Sequence, residues 1–309
     1  MNKIPVRQTI ARGYSFAIKD FPRILGVIWF PFAITILGSL ALAGQTNAIT
    51  TAFATRNFAA IAHMAWIFLP VYAVAIVLLA MQIAGITELA LGKRTGSPFF
   101  YFTLGRPVWR LIGSYLLVFL LLIAAIVVVI ASFGLFAAIF AGVTGVAKGS
   151  KPSGAAAAVL GLSAILAVIV CYCAFIYGLV RQTFLLTPVV IAEQKIGLRR
   201  AWGLGRGNFW RMFVIVLAVL IPLFIVEGIF LFGFVWHGFP PVPQPGATPE
   251  QIEALNAQNA ANIIRLMKYW YVTYPVFLVV SIVFYGYFCG AQSFAYRFLV
   301  PEETAEGSR

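Results

Sequence analysis

The architecture is decided by a stretch that opens with a tryptophan and an arginine and then continues without a charge: WRLIGSYLLVFLLLIAAIVVVIASFGLFAAIFAGVTGVA, residues 109–147. A helix needs about 20 apolar residues to cross about 30 Å of hydrocarbon. This run is more than long enough. A membrane β-barrel would instead show short segments of alternating polarity. The stretch therefore predicts a membrane-spanning helix.

Five further runs of spanning length have no charge or a single one. Of the 309 residues, 62% are hydrophobic and only 10% are charged, whereas soluble domains contain about 25% charged residues. The chain is therefore predicted to be an all-α polytopic membrane protein with six transmembrane helices. Because some twenty residues precede the first run, we expect no cleavable signal peptide. The other runs are Ile24–Gly44, Asn57–Thr87, Pro152–Val180, Met212–Trp236 and Tyr269–Tyr296.

The segments ahead of three runs repeat one pattern. An arginine preceded by proline or tryptophan stands just before the run, and an aromatic residue stands nine positions earlier. The pattern predicts a pseudo-threefold array of three helical hairpins, each introduced by a short interfacial helix. The units would cover about 6–91, 96–192 and 197–300 of a single membrane domain, with 301–309 as a disordered tail. The aligned residues are Arg23, Arg110 and Arg211, with Tyr14, Tyr101 and Trp202 nine positions earlier.

Basic residues are distributed unequally between the two sides of the predicted membrane domain. Most lie before span one, in the second-to-third and fourth-to-fifth links, and in the tail. By the positive-inside rule, both termini are expected in the cytoplasm. The opposite side carries only Arg56, Lys148, Lys151, Arg265 and Lys268.

The repeated segments are candidates for contact with phospholipids, including anionic ones. Tyrosine and tryptophan favour the headgroup level, and lysine and arginine extend towards it. Asp20 and Asn208 hold the same repeat position, where each suits the N-cap of the next span. The interface candidates are Arg12, Tyr14, Arg23, Tyr101, Arg106, Arg110, Arg200, Trp202, Arg206, Trp210 and Arg211.

The sequence contains no catalytic constellation. It has no P-loop, dinucleotide fingerprint, His-Glu-x-x-His or Gly-x-Ser-x-Gly motif. Cys171 and Cys173 lie about 200° apart on a helix and cannot bind one metal together. We therefore expect no catalytic residue, cofactor or metal site, and no enzyme.

Three ionisable residues lie in or beside the spans. Glu227 is either a structural carboxylate near the outer edge of the hydrocarbon or a proton or substrate site. Arg181 is either an anchor at the inner interface or a buried partner for Glu88. The sequence leaves both pairs of alternatives open.

The third outer loop predicts a surface helix over about 249–268. Thr248 and Gln251 have the spacing of a capping box, with Pro249 in the first turn. Whether this helix covers a cavity or only the loop ends is left open by the pattern.

The fourth-to-fifth link carries a family resemblance. The residues are Pro188-Val189-Val190-Ile191-Ala192-Glu193, Gly197, Ala201-Trp202 and Gly207-Asn208-Phe209-Trp210-Arg211. They resemble the signature of the bacterial six-span membrane domain named for its fusion to glycerophosphoryl diester phosphodiesterases, although Gly203-Leu204-Gly205 lacks the serine often found there. The resemblance implies a multi-pass protein of the bacterial inner membrane with a link to phospholipid metabolism. The 309 residues include no phosphodiesterase domain, so we do not expect that activity from them.

These features support two functions. The first is a non-enzymatic scaffold or accessory subunit that engages anionic lipid, consistent with a net charge of +13. The second is a transporter or channel for a lipophilic or lipid-derived solute, consistent with the repeats and with proline inside spans. The expected partners are membrane phospholipids and other membrane proteins, and nucleic acid is not expected.

The predicted orientation can be tested by cysteine labelling. In a cysteine-free background, Arg56→Cys, Lys151→Cys and Gln258→Cys should react with an impermeant maleimide in intact spheroplasts. Lys93→Cys and Arg200→Cys should react only after permeabilisation. Labelling of Arg200→Cys from outside would contradict the orientation.

Overall fold

The computed structural model describes residues 3–54, 57–93, 104–144, 154–236, 248–255, 257–258 and 270–300, and these residues form helices and turns without a strand. The helices are α1 (Val6–Lys19), α2 (Phe21–Ala54), α3 (Phe58–Ala90), α4 (Arg106–Thr144), α5 (Gly154–Thr183), α6 (Leu186–Glu193), α7 (Leu198–Leu204), α8 (Phe209–Trp236), α9 (249–255) and α10 (Trp270–Leu299).

Six segments of the described chain are long and apolar enough to cross a membrane, which confirms the predicted number of spans. The fourth covers most of α5 together with α6. Such a set of segments is the architecture of a multi-pass membrane protein. The segments are Phe21–Gly38, Phe58–Ala90, Arg106–Ser132, Gly161–Glu193, Phe209–Ile229 and Pro275–Leu299.

The fourth span is interrupted between α5 and α6. Pro188 has no N–H group, so the carbonyl of Phe184 loses its usual helical donor, and Phe184 and Leu185 form a turn. Non-helical backbone at membrane depth is tolerated only where protein covers it. Both turn residues are buried, as is most of α6.

The short helix α6 lies at the centre of the packing. It contacts α3, α4, α5, α7 and α10. Val189, Val190 and Ile191 are fully buried. The Tyr115 hydroxyl of α4 lies 2.7 Å from the Thr187 hydroxyl of α6. The first part of the segment that carries the family resemblance, from Pro188 to Ile191, is therefore a core element here.

Helix α1 packs closely along α10. Gly286 and Gly290 are one turn apart on α10, a spacing that lets two helices approach within a membrane. A Cβ added at Gly290 would lie 2.7 Å from the Phe16 ring, and one added at Gly286 would lie 3.1 Å from Ala17 Cβ. Gly13 of α1 has a similarly close contact with the Tyr287 ring.

Two tyrosines join α1, α8 and α10. The Tyr14 and Tyr287 rings pack with centroids 4.4 Å apart. The Tyr14 hydroxyl donates to the carbonyl of Ala218 at 2.7 Å, and the Tyr287 hydroxyl donates to that of Ile215 at 2.9 Å. Burial raises the pKa of Tyr14, which keeps this phenol protonated as a donor. Tyr14 thus packs within the fold and joins α1 to α8 and α10, while its role at the membrane interface stays a prediction.

Packing is uneven along the spans. From Phe119 to Val128 of α4, every side chain except Leu122 is exposed. The α2–α3 contact is extensive, whereas the α4–α5 contact is slight. In the protein's own fold, these parts of α4 and α5 therefore face the surrounding medium on nearly all sides.

The expected repeat can be compared with the structure only in part. The short helices α1 and α7 precede α2 and α8, as two of the three units require. The corresponding residues of the middle unit fall mainly at 94–103, outside the described residues, and these include Tyr101. The proposed tail 301–309 also lies outside them.

The capping box of the outer loop is confirmed. The backbone N–H of Gln251 donates to Thr248 Oγ1 at 3.3 Å, and the backbone N–H of Thr248 donates to Gln251 Oε1 at 3.0 Å. Helix α9 follows over 249–255. Most of the remaining length expected for this helix, to about 268, lies beyond the residues described.

The close approach of α1 to α10 predicts different outcomes for two glycine-to-alanine changes. Gly290→Ala should destabilise the protein by about 1–3 kcal/mol because the new methyl group meets Phe16. Gly113→Ala in α4 is the matched control, since nothing lies within 4 Å of an added Cβ there. It should be neutral or stabilise by up to about 1 kcal/mol. SDS titration in mixed micelles, followed by circular dichroism, measures both, and equal effects would contradict the packing.

Candidate functional site

Many of the lysines and arginines that the structure describes lie at or beside helix ends, and several of them meet at one end of the bundle, which we call the basic end. There the N-terminal arm and the starts of α4 and α8 meet the ends of α3, α6 and α10. Acidic residues at or beside helix ends include Asp20, Glu88 and Glu193. The described basic residues are Lys3, Arg7, Arg12, Lys19, Arg23, Lys93, Arg106, Arg110, Arg181, Lys195, Arg199, Arg200, Arg206, Arg211 and Arg297.

The carboxyl end of α6 is capped by side chains. Gln194 adopts a left-handed conformation with φ 55° and ends the helix. Its Nε2 donates to the carbonyl of Ile191 at 2.9 Å, and Lys93 Nζ donates to that of Ala192 at 2.8 Å. The last carbonyls of a helix lack helical donors and carry partial negative charge, so a lysine is a favourable cap.

Further basic side chains meet the same turn. Arg110 Nη1 of α4 donates to Gln194 Oε1 at 3.0 Å. Arg200 Nε of α7 lies 3.1 Å from Glu193 Oε1, which also accepts from the Tyr296 hydroxyl at 3.3 Å. Because these groups are partly exposed, each pair adds little stability. Together they fix the positions of the start of α4, of α7 and of the end of α10 around α6.

The N-terminal arm, residues 3–5, is bound to the start of α8. Ile4 is fully buried. Its N–H donates to Asn208 Oδ1 at 3.0 Å, and its carbonyl accepts from Arg211 Nη1 at 2.7 Å. Asn208 directly precedes α8, as expected of an N-cap residue, and its side-chain oxygen accepts from a segment about two hundred residues away.

The three aligned arginines have three different kinds of partner. Arg23 pairs with the Asp20 carboxylate at 3.1 Å on an exposed surface. Arg110 binds the amide oxygen of Gln194, and Arg211 binds the carbonyl of Ile4. Asp20, expected as an N-cap, thus has its carboxylate in an ion pair. Equivalent sequence positions do not have equivalent contacts.

Arg181 lies at a corner formed by α5, α7 and α8. Its guanidinium carbon is 4.0 Å from the centre of the Trp202 ring, and its Nη1 donates to the Tyr177 hydroxyl at 2.8 Å. Neither of the two ion pairs seen in the described residues includes Arg181. The alternative in which it pairs with Glu88 is therefore not the arrangement found.

The other candidates remain at the surface. Arg106 and Arg206 are exposed, Trp210 is 73% exposed, and Trp202 is 39% exposed. Arg12 is exposed but stacks over the Phe294 ring at 4.4 Å. Glu227 is exposed on α8, and Glu88 is half-buried at the end of α3. The structure does not bring these two carboxylates into one site.

Sequence reasoning missed several residues that organise this end. Gln194 and Tyr296 contact Glu193 or its turn, and Tyr287 ties α10 to α8. Gln292 and Ser293 are buried with side-chain atoms that have no hydrogen-bond partner among the described residues. The spacing of Gly286 and Gly290 around Tyr287 is the signal that could have indicated a close helix contact.

The described residues offer no group of three histidine, cysteine, aspartate or glutamate side chains that could hold a metal. No protein-family model, curated protein or solved structure matches the chain. The resemblance to the phosphodiesterase-fused membrane domain therefore stays a prediction from its motif.

The arm contact predicts a change in protease sensitivity. Arg211→Gln removes a charge-assisted hydrogen bond, which is worth about 1.5–3 kcal/mol. Trypsin cleavage after Lys3 and Arg7 should then become about tenfold faster. Intact-mass spectrometry of timed digests measures the rate, and Arg206→Gln, which changes an exposed arginine nearby, should leave it unaltered. Equal cleavage rates in the two variants would contradict the contact between Arg211 and the N-terminal arm.

Proposed function

We propose that this is a non-enzymatic protein of the bacterial inner membrane whose basic end binds anionic phospholipids and serves as an accessory or scaffold subunit of a membrane complex. One observation supports this most directly. The basic end presents exposed cations and exposed tryptophans, and the side chains of several of these cations form no hydrogen bond or ion pair with other described residues.

The basic residues fall into two groups. Lys93, Arg110, Arg200 and Arg211 contact other parts of the chain and hold its helices together. The side chains of the second group are exposed and form neither a hydrogen bond nor an ion pair within the described chain. Each cation near an anionic leaflet contributes about 1 kcal/mol to membrane attraction. This second group includes Lys3, Arg7, Lys19, Arg106, Lys195, Arg199, Arg206 and Arg297.

Exposed aromatic residues support the same proposal. Trp202 and Trp210 flank the start of α8, close to Arg199 and Arg206 in sequence. Tryptophan favours the headgroup level of a bilayer, where phosphates are also found. Cations and tryptophans at one level form a surface suited to phospholipid headgroups.

The proposal includes the orientation of the protein in the membrane and the origin of its repeat. By the positive-inside rule the basic end faces the cytoplasm, with both termini on that side. Three hairpins related by a pseudo-threefold repeat, each with an interfacial helix, would have arisen from one ancestral unit. The resemblance to the phosphodiesterase-fused membrane domain supports a role near phospholipid metabolism.

A transporter or channel for a lipophilic or lipid-derived solute is the second candidate. The exposure of α4 from Phe119 to Val128, and its slight contact with α5, favour it. Separated apolar helices leave room for an apolar molecule to enter from the bilayer. The described spans carry few polar side chains, which argues against ions or sugars.

The lipid proposal predicts the effect of removing exposed charge. A triple variant with Arg106→Gln, Arg199→Gln and Arg206→Gln should retain several-fold less phosphatidylglycerol and cardiolipin after purification, because three phosphate-attracting charges are lost. The matched control replaces the same arginines by lysine and should retain wild-type amounts. Native mass spectrometry counts the bound lipids.

Phosphatidylcholine retention should be equal in all three proteins. Equal retention of anionic lipid in the glutamine and lysine variants would contradict the proposed function. Loss of solute flux in reconstituted vesicles without any change in lipid retention would favour the transporter instead.

A further inference from the structure

We propose that Arg181 is the phosphate-binding centre of one specific phospholipid site, at the corner formed by α5, α7 and α8. This inference rests on the anionic-lipid function proposed above and adds to it a defined location. It separates one tight site from the diffuse attraction of the exposed cations.

The side chain of Arg181 is held in place by its neighbours. The Trp202 ring stacks against the guanidinium at 4.0 Å, and the Tyr177 hydroxyl accepts from Nη1 at 2.8 Å. Gly205 permits this position, since an added Cβ would lie 3.2 Å from Arg181 Cγ. A pinned guanidinium loses little conformational entropy when it binds an anion.

The charge of Arg181 lacks a carboxylate partner within the described chain. The two ion pairs there are Arg23–Asp20 and Arg200–Glu193. Arg181 Nε is also buried without a hydrogen-bond partner among the described residues. A partly buried, unpaired charge beside hydrocarbon is costly, so an anion supplied by the membrane would stabilise it.

The chemistry of the guanidinium selects the ligand class. Arginine has five N–H donors in a planar fork that matches phosphate oxygens. Tyr177 takes one of these donors, and others remain for a phosphate. The corner is open to the surroundings, because Tyr177 and Trp202 are each about two-fifths exposed.

The surroundings favour a phospholipid over a free phosphate ion. Below the corner, α5 and α8 are in contact and present exposed apolar side chains, among them Val170 and Val214. Acyl chains can lie along these faces while the headgroup phosphate reaches Arg181. Phe209, whose ring centroid is 4.7 Å from that of Tyr177, adds a further apolar contact.

The test measures binding of phosphatidylglycerol to the full-length protein in detergent by native mass spectrometry. Arg181→Gln should lower the affinity of the tightest site for phosphatidylglycerol by about tenfold or more. Arg181→Lys should recover only part of this affinity, since lysine keeps the charge but not the planar fork.

A second variant keeps the test decisive if Arg181→Gln does not fold. Trp202→Leu removes the stacking partner and should weaken the same site several-fold. Wild-type affinity in both Arg181→Lys and Trp202→Leu would overturn the proposal. Inorganic phosphate, at concentrations that leave the loosely bound lipid in place, should not displace phosphatidylglycerol from the tightest site. If inorganic phosphate displaced it completely, the assignment of the site to a phospholipid would be overturned.

The outcome also separates this inference from the general function. If Arg181→Gln leaves the tight site intact while the triple arginine variant loses anionic lipid, the corner is wrong and the general function stands. If neither variant loses lipid, both are wrong.

Discussion

The structure depends on one constraint: a chain that interrupts a membrane helix must cover the break with protein and find partners for the backbone groups at the free end of the short helix that follows. Pro188 imposes such a break between α5 and α6. The turn is buried, and the end of α6 is capped by Gln194 and Lys93. This capping requires α3 to end beside α6, and Arg110 at the start of α4, Arg200 and Tyr296 add further contacts there. The basic end is therefore the packed part of the molecule.

A second set of contacts joins α1, α8 and α10. Small residues on α10 let α1 approach, and Tyr14 and Tyr287 then reach carbonyls one turn apart on α8. Arg211 and Asn208 bind the arm that precedes α1. Basic residues thus have structural partners here, and only those left exposed are available to lipid in the proposed function. In contrast, α4 between Phe119 and Val128 has few neighbours within the fold.

The sequence predicted the features that depend on local pattern. Run length gave the six spans, and spacing gave the capping box at Thr248 and Gln251. It could not predict contacts between distant segments. The alignment of Arg23, Arg110 and Arg211 was visible, and Arg23 pairs locally with Asp20, but the partners of Arg110 and Arg211 come from the turn after α6 and from the N-terminal arm. The position of Tyr14 beside a span predicts an interface residue, but it does not predict the contacts with Ala218 and Tyr287, which depend on the close approach of α1 to α10. The pairing of Arg181 with aromatic residues rather than Glu88 depends on where α7 folds back, which no local pattern specifies.

Hydrogen–deuterium exchange in nanodiscs tests the central claim most directly: one set of basic residues builds the end of the bundle and another engages anionic lipid. With phosphatidylcholine or phosphatidylglycerol discs alike, amides of α6 and α1 should exchange slowly, because protein contacts protect them. Amides of 198–207 should exchange more slowly in phosphatidylglycerol than in phosphatidylcholine. Fast exchange of α6 in both discs, or identical exchange of 198–207 in the two lipids, would contradict the account.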